Sequence, residues 1–376
     1  MQTAFLGRSG DSLLLCLAKR IHELDRDASP PVLSLDLDVP ISLDPRAVTW
    51  DGHEMSAFDS LWVSGFTYLD PVVPDEGGGT DWTVWDARYV ARQQRYSALH
   101  SLLKELDRRG VSVINPPHAY LDDWIKGHQL ARLRDSGFAV PRFMCTNDMD
   151  FAEAFGRDVG DVCWRPVTGR GAWQKFGDKQ REHLIAGDRA PVLLAQASPG
   201  PFKRVWILDG EPLLALDCLP PAFQPVEDRA RREFGEVADL GDLYGDRLYL
   251  EALETFDPFE ASVHGDLWSR LGAHLGLRWF MAICAESAGV LRLYDIDPDP
   301  ALDWLPAVYQ AWLLEGIASR LSGVRHPAAS TAAAAGGPGV SAERPALFLR
   351  RMLQILFEME ESKYIDEQPD ARDIEP

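Results

Sequence analysis

Apolar positions along the chain fall into two rhythms that alternate. A short run from Gln2 to Leu6 gives way to the polar, turn-forming Gly7-Arg8-Ser9-Gly10-Asp11. Leu13, Leu14, Cys16, Leu17 and Ile21 then recur at the spacing of one helix face. Pro31 to Leu37 and Asp59 to Ser64 are further strand candidates, the second centred on Leu61-Trp62-Val63. Arg88 to Arg109 has the period of a long amphipathic helix, and Val111 to Asn115 returns to strand. Short apolar runs alternating with helical stretches predict an α/β fold, with a doubly wound parallel sheet over residues 1–115.

Beyond it, His118 to Gly137 reads as a helix stopped by Gly137, with Pro141 soon after. Val162-Cys163-Trp164, Val192 to Gln196, Arg204 to Leu208 and Pro212 to Asp217 read as strands, the last two joined by an Asp209-Gly210 hairpin. A helix from Asp257 to Leu275 precedes two strands, Leu277 to Glu286 and Leu291 to Ile296, around Ser287-Ala288-Gly289. Leu305 to Leu321 is the last helix of this part. The division expected is a small α/β lobe over residues 116–190 and a larger lobe over 191–326. Residues 327–342 are an Ala/Gly-rich linker. Residues 343–376 carry Leu347, Leu349, Met352, Leu353, Leu356 and Phe357 mostly on one helical face, ahead of an acidic tail. That helix is expected to dock on the body, with a partner protein as the alternative.

Composition narrows the function. Of 376 residues, 46% are hydrophobic, enough for more than one core, and the net charge of −20 repels a nucleic-acid backbone. No nucleic-acid partner is expected. The cysteines show no CxxC spacing, which disfavours zinc, and read as small buried hydrophobes in a reducing compartment. No apolar run approaches the ~18 residues of a membrane span. The first apolar stretch is broken by Gly7, Arg8, Gly10 and Asp11, unlike a secretion signal. A cytoplasmic location and no membrane partner are the expectation. The Gly7 to Asp11 turn lacks GxGxxG, so a dinucleotide site is not indicated.

Val113-Ile114-Asn115-Pro116-Pro117 ends a strand in a turn, and the next helix carries Lys126, where a phosphate can be held. Taken alone, Lys126 reads as a surface lysine on an amphipathic helix. Asn115-Pro116-Pro117, Lys126-Gly127-His128-Gln129-Leu130, Asp135-Ser136-Gly137-Phe138-Ala139-Val140-Pro141 and Thr146-Asn147-Asp148, in that order, resemble the entry to an ATP-grasp domain. The resemblance is to the glutathione-synthetase-like branch, with its ribosomal-protein glutamate ligases and microviridin-type peptide ligases. It extends over residues 1–322. It implies ATP and Mg²⁺ as cofactors, and a small-molecule or peptide acceptor joined to a carboxylate through an acyl phosphate. It also implies a two-lobed ATP-grasp fold after the N-terminal domain, Lys126 on the ATP phosphates, and a homo-oligomer.

Three further stretches follow in the order the resemblance implies. In Trp164-Arg165-Pro166-Val167-Thr168-Gly169-Arg170-Gly171, Arg165 stands where the family has a lysine. Thr168, Gly169 and Gly171 would close over phosphates with backbone N–H groups, or form a plain hairpin loop. Gln196 and Ala197 occupy the expected adenine hinge, and Arg204 is a candidate catalytic cation or, equally, a structural ion pair. Asp295 and Asp297 alternate on a strand, so they share a face and suit Mg²⁺. The family has Glu-x-Asn there, and a further acidic residue where this chain has Ile283 or Cys284. Arg165, Ile283 and Asp297 keep open a catalytically degenerate nucleotide- or peptide-binding protein. Arg229, Arg231 and Arg232 grip an acidic acceptor or form a solvated helix face. Gly77-Gly78-Gly79 reads as a surface loop, and His264 and His274 as helix residues without a catalytic role.

Overall fold

The computed structural model describes residues 2–7, 11–35, 39–64, 82–120, 125–167, 173–185, 191–198, 202–218, 257–258, 264–300, 302, 305 and 307–323. The chain opens with β1 (Thr3–Gly7), α1 (Ser12–Leu24) and β2 (Val32–Ser34). Asp11 caps α1, accepting from Leu13 N at 3.0 Å and Leu14 N at 3.2 Å, so the turn chemistry sets where the helix starts. A small antiparallel ribbon follows: β3 (Ile41–Leu43), β4 (Val48–Trp50) and β5 (His53–Glu54). Then come β6 (Ser60–Val63), α2 (Trp82–Arg108) and β7 (Ser112–Ile114). The main sheet has the order β2-β1-β6-β7 and is parallel throughout. Its faces divide by alternation. Ala4, Leu6, Leu61, Val63 and Val113 pack with Leu99, Leu102, Leu103 and Leu106 of α2, while Phe5, Trp62 and Ile114 pack with α1.

The middle segment contains α3 (Lys126–Asp135), β8 (Phe143–Thr146), α4 (Met149–Val159), β9 (Val162–Pro166), β10 (Gln174–Lys175), α5 (Asp178–Ile185) and β11 (Val192–Gln196). Its antiparallel sheet runs β10-β9-β11-β8. Val192–Gln196, which sequence assigns to the larger lobe, therefore closes the smaller one. The helix expected from His118 begins at Lys126. Pro117–Tyr120 is instead a 3₁₀ turn.

The third sheet is built from β12 (Phe202–Leu208), β13 (Glu211–Cys218), β14 (Asp257–Pro258), β15 (Trp279–Ser287) and β16 (Val290–Asp297), in the order β14-β13-β12-β15-β16. Between β14 and β15 lies α6 (Gly265–Leu275), and α7 (Ala307–Ser322) follows β16. Asp257–Pro258 thus pairs with β13 rather than opening the helix, which starts at Gly265. Asp209 and Gly210 have φ of +53° and +76°, the backbone of the predicted hairpin turn. The same signature at Asp51-Gly52, φ +48° and +78°, joins β4 to β5.

One face of the five-stranded sheet is covered by α6, with Trp268, Leu271 and Leu275 on Val205, Ile207, Phe280 and Ala282. Its other face is covered twice. At one end Trp206, Leu208, Trp279 and Met281 share a core with α7, α1 and the parallel sheet, and Trp62 lies 5.4 Å from Trp279 between ring centroids. At the opposite end Phe202, Ala285 and Tyr294 meet Leu130, Cys163, Trp173, Leu193 and Ala195 of the smaller lobe. Charged residues occupy the stretch between. Cys163 and Cys284 are buried as expected; Cys16 and Cys145 are exposed.

The Arg229 cluster, the Gly77-Gly78-Gly79 loop, the linker and the helix expected around Leu347 to Phe357 lie outside the described residues.

Candidate functional site

Three neighbouring strands set the floor. Arg204 of β12 is in register with Ile283 of β15, and Ile283 with Asp295 of β16, so the three side chains leave the sheet on one face. Asp297, in register with Met281, lies two residues further along the same face. A bulge makes this possible. Leu291 and Leu293 point to the α6 side, and simple alternation would send Asp295 and Asp297 after them. Between Ile283 and Cys284 the register shifts, and Tyr294 is the extra residue. A one-residue shift moves every later side chain to the other face, so the carboxylates turn away from α6.

The roof comes from the smaller lobe. Lys126 is the first residue of α3 and only 2% exposed, which rules out the surface-lysine reading. Its Nζ lies 2.6 Å from Asp295 Oδ1 and donates to the Ile296 carbonyl at 2.8 Å. Arg165, on β9 opposite Leu193, is likewise buried and forms an ion pair with Asp295 Oδ2. Its guanidinium carbon sits 5.8 Å from the ring centroid of Trp173. One carboxylate thus joins two cations from different elements. Burial pushes the Asp295 carboxyl up; the charges and hydrogen bonds of Arg165 and Lys126 outweigh that and hold it at about 2.

Two amide side chains fix the frame. Gln129 Nε2 donates to Ile296 O at 3.2 Å and its Oε1 accepts from Ile296 N at 3.3 Å, pairing α3 to β16 as a strand neighbour would. Asn115 accepts from Arg278 N and Trp279 N, both at 3.0 Å, and donates to Trp279 O and, at 2.6 Å, to Pro298 O. It ties the end of the parallel sheet to the residue after Asp297.

Gln196 ends β11 where the chain passes between sheets. Its N–H donates to Arg142 O at 2.8 Å, and Ala197 N donates to Asp161 O at 2.9 Å. The Gln196 carbonyl accepts from Tyr294 Oη at 2.8 Å. Burial pushes the Tyr294 phenol well above its ordinary range, so it remains a protonated donor. Tyr294 and Trp173 are site residues that sequence reasoning missed. Alternation from Leu293 sends Tyr294 to the small-lobe face, but which face of β16 meets that lobe is not written in the strand pattern. Of the predicted residues, Lys126, Arg165, Asp295 and Asp297 come together, with Arg204 on the same floor and Gln196 and Ala197 at one edge. Thr168, Gly169 and Gly171 lie outside the described residues. His264 is the N-cap of α6 and His274 lies in its last turn, on the sheet's opposite face.

No protein-family model matches the sequence, and no curated relative does. The architecture does match solved structures. A structure of the ATP-grasp ligase PsnB with precursor peptide PsnA2 and AMPPNP aligns with a TM-score of 0.64 at 20% identity, over 86% of this chain and 98% of that one. The chain has an ATP-grasp fold. Its lobes also match a Chryseobacterium gregarium RiPP-associated ATP-grasp ligase in complex with ADP and a leader and core peptide (TM-score 0.61, 13% identity, 87% of this chain and 98% of that one). The macrocyclase MdnC from Microcystis aeruginosa MRC, bound with precursor peptide MdnA, aligns at 0.60 and 14% identity over 85% of this chain and 99% of that one. In the ATP-grasp fold of this chain, the charged cluster lies between the small-lobe sheet and the large-lobe sheet.

Proposed function

We propose that the chain is an ATP-dependent ligase that joins a carboxylate to an amine or hydroxyl on a peptide. The observation that carries this reading is the buried Lys126–Asp295–Arg165 cluster between the two lobes of an ATP-grasp fold. Support comes from similar structures described with ADP or AMPPNP and with precursor peptides.

The residues present fit a nucleotide and Mg²⁺. Lys126 and Arg165 supply a point charge and a planar fork suited to phosphate oxygens. Asp295 and Asp297 are hard oxygen donors on one face, and Mg²⁺ is commonly held by one or two carboxylates with substrate phosphates completing its shell. When bound, the metal neutralises phosphate charge. In this reading Lys126 and Arg165 exchange Asp295 for phosphate oxygens, which frees the carboxylate as a ligand. Arg204 is placed to hold the substrate carboxylate or the transferring phosphoryl group. That carboxylate attacks the γ-phosphorus and ADP leaves. The amine or hydroxyl then attacks the acyl carbon, phosphate leaves, and the proton passes to solvent. The chain's own contribution is positioning and fixed charge.

A second reading, nucleotide or peptide binding without turnover, is favoured by Ile283, an aliphatic residue in register with Asp295. ADP release from ATP and Mg²⁺ with candidate acidic peptides separates the two. The ligase reading expects turnover in the natural chain, with a drop of about 100-fold or more in Lys126→Ala and Asp295→Ala. Nucleotide-induced thermal stabilisation without ADP would favour the second reading. Neither signal would refute both.

A further inference from the structure

β8 is an edge of the small-lobe sheet, and among the described residues no strand pairs beyond it. Gln196 N donates to Arg142 O, so alternation turns the main-chain groups of Met144 and Thr146 toward β11 as well. The N–H and C=O groups of Phe143 and Cys145 then point off the sheet, which makes this edge a template for another strand. Beside it lies a groove of about 600 Å³, lined by Phe138, Val140, Phe143, Met144 and Phe155. One wall is tied to the larger lobe, where Leu293 N donates to Ala139 O at 2.9 Å. On α4, Phe151, Ala154, Phe155 and Asp158 share one helical stripe. The last three line the groove, and Phe151 stands one turn outside it. At 61% exposed, Phe151 is the most exposed large apolar side chain among the described residues. On the rim, the Arg134 guanidinium carbon lies 5.7 Å from the Phe143 ring centroid, and Arg142 pairs with Asp158, each more than half exposed.

One face thus carries a free strand edge, an apolar groove, an aromatic side chain projecting at its mouth, and a charge of each sign. Each feature finds its complement on the same face, which is what an isologous contact requires. Aromatic, Met and Arg side chains are also the types enriched in such contacts. We propose that the occupant of this groove is a second copy of the chain. The β8 edges pair antiparallel across a two-fold axis, Phe151 of each copy enters the groove of the other, and Arg142 and Asp158 exchange partners between copies. None of these residues belongs to the Lys126–Asp295–Arg165 cluster, so the contact stands or falls independently of the ligase reading.

The test is light scattering after size exclusion, on the full chain and on Phe151→Glu, whose exposed site accepts a charge in the single copy. The natural chain is expected at twice its monomer mass at about 10 µM and above. Phe151→Glu is expected to raise the dissociation constant about 30-fold or more, with an unchanged circular dichroism spectrum. Cys145 is exposed, so a short bismaleimide should link Cys145 to Cys145 between copies of the natural chain. Amide exchange at Phe143 and Cys145 should slow as concentration rises. A chain that is monomeric at about 100 µM overturns the pairing. A dimer that Phe151→Glu leaves intact, or whose β8 amides exchange no slower than the monomer's, also overturns it, because the contact would lie on another face. A monomer whose β8 amides slow only when an acidic peptide is added would give the groove to a peptide, and overturns it likewise.

Discussion

Replacing Asp295 by Asn removes the one negative group shared by two buried cations. Lys126 and Arg165 are 2% and 1% exposed at the side chain, so water cannot take over the lost charge. The cost can be worked in two ways. The carboxyl sits at about 2 against an ordinary 3.8, a drop that corresponds to about 2–3 kcal/mol of stability near neutral pH. Removing one partner of a buried pair typically costs about 3–5 kcal/mol, because the other charge is left uncompensated. The second figure is the better guide here, since an asparagine also turns an N–H₂ group toward a cation. The variant is expected to lose about 3–5 kcal/mol in urea unfolding at pH 7, with a fall in melting temperature of about 6–15 °C. Adding Lys126→Met to the variant should recover part of the loss, because it removes a stranded cation. The folded-state carboxyl is depressed, so its stabilisation is complete above pH 3.8 and is lost as pH falls through about 2. The gap between the natural chain and the variant should therefore close toward pH 2. A variant within about 0.5 kcal/mol of the natural chain at pH 7, or a gap that does not close in acid, would refute the buried cluster.

Two further outcomes are expected. Asn115→Leu leaves the N–H groups of Arg278 and Trp279 and two carbonyls without their shared partner, and is expected to lower unfolding stability by about 3–5 kcal/mol; a loss under about 1 kcal/mol would count against the tie. Burial pushes the Cys163 thiol up to about 12, and Cys284 is buried. Alkylation at pH 8 followed by peptide mass analysis should label Cys16 and Cys145 in the native chain, and Cys163 and Cys284 only after denaturation. Native labelling of Cys163 would contradict the packing between the lobes.

Much of the architecture is written locally. Alternating strand and helix rhythms specify the parallel sheet, Asp11 its first cap, and Asp209-Gly210 the hairpin between β12 and β13, because each depends on residues within a few positions of one another. The same logic was available at Asp51-Gly52 and marks a ribbon that the broader period does not reveal. Short elements such as β8 and α5 lack enough repeats for a period to stand out.

The site divides along the same line. The resemblance to an ATP-grasp domain brings Lys126, Arg165, Asp295 and Asp297 into one expected constellation; the fold pairs Lys126 and Arg165 with Asp295 and leaves Asp297 two residues along the same face. Three things were decided only in three dimensions. Burial of Lys126 follows from α3 lying against β16, since its own helix face gives no sign of it. The side on which the carboxylates emerge follows from one extra residue opposite Ile283 and Cys284, a change of register that needs the partner strand to exist. The hold of Tyr294 on Gln196 joins positions 98 residues apart. The chain by itself determines which charges are available and in what order; pairing between strands distant in sequence determines which way they face.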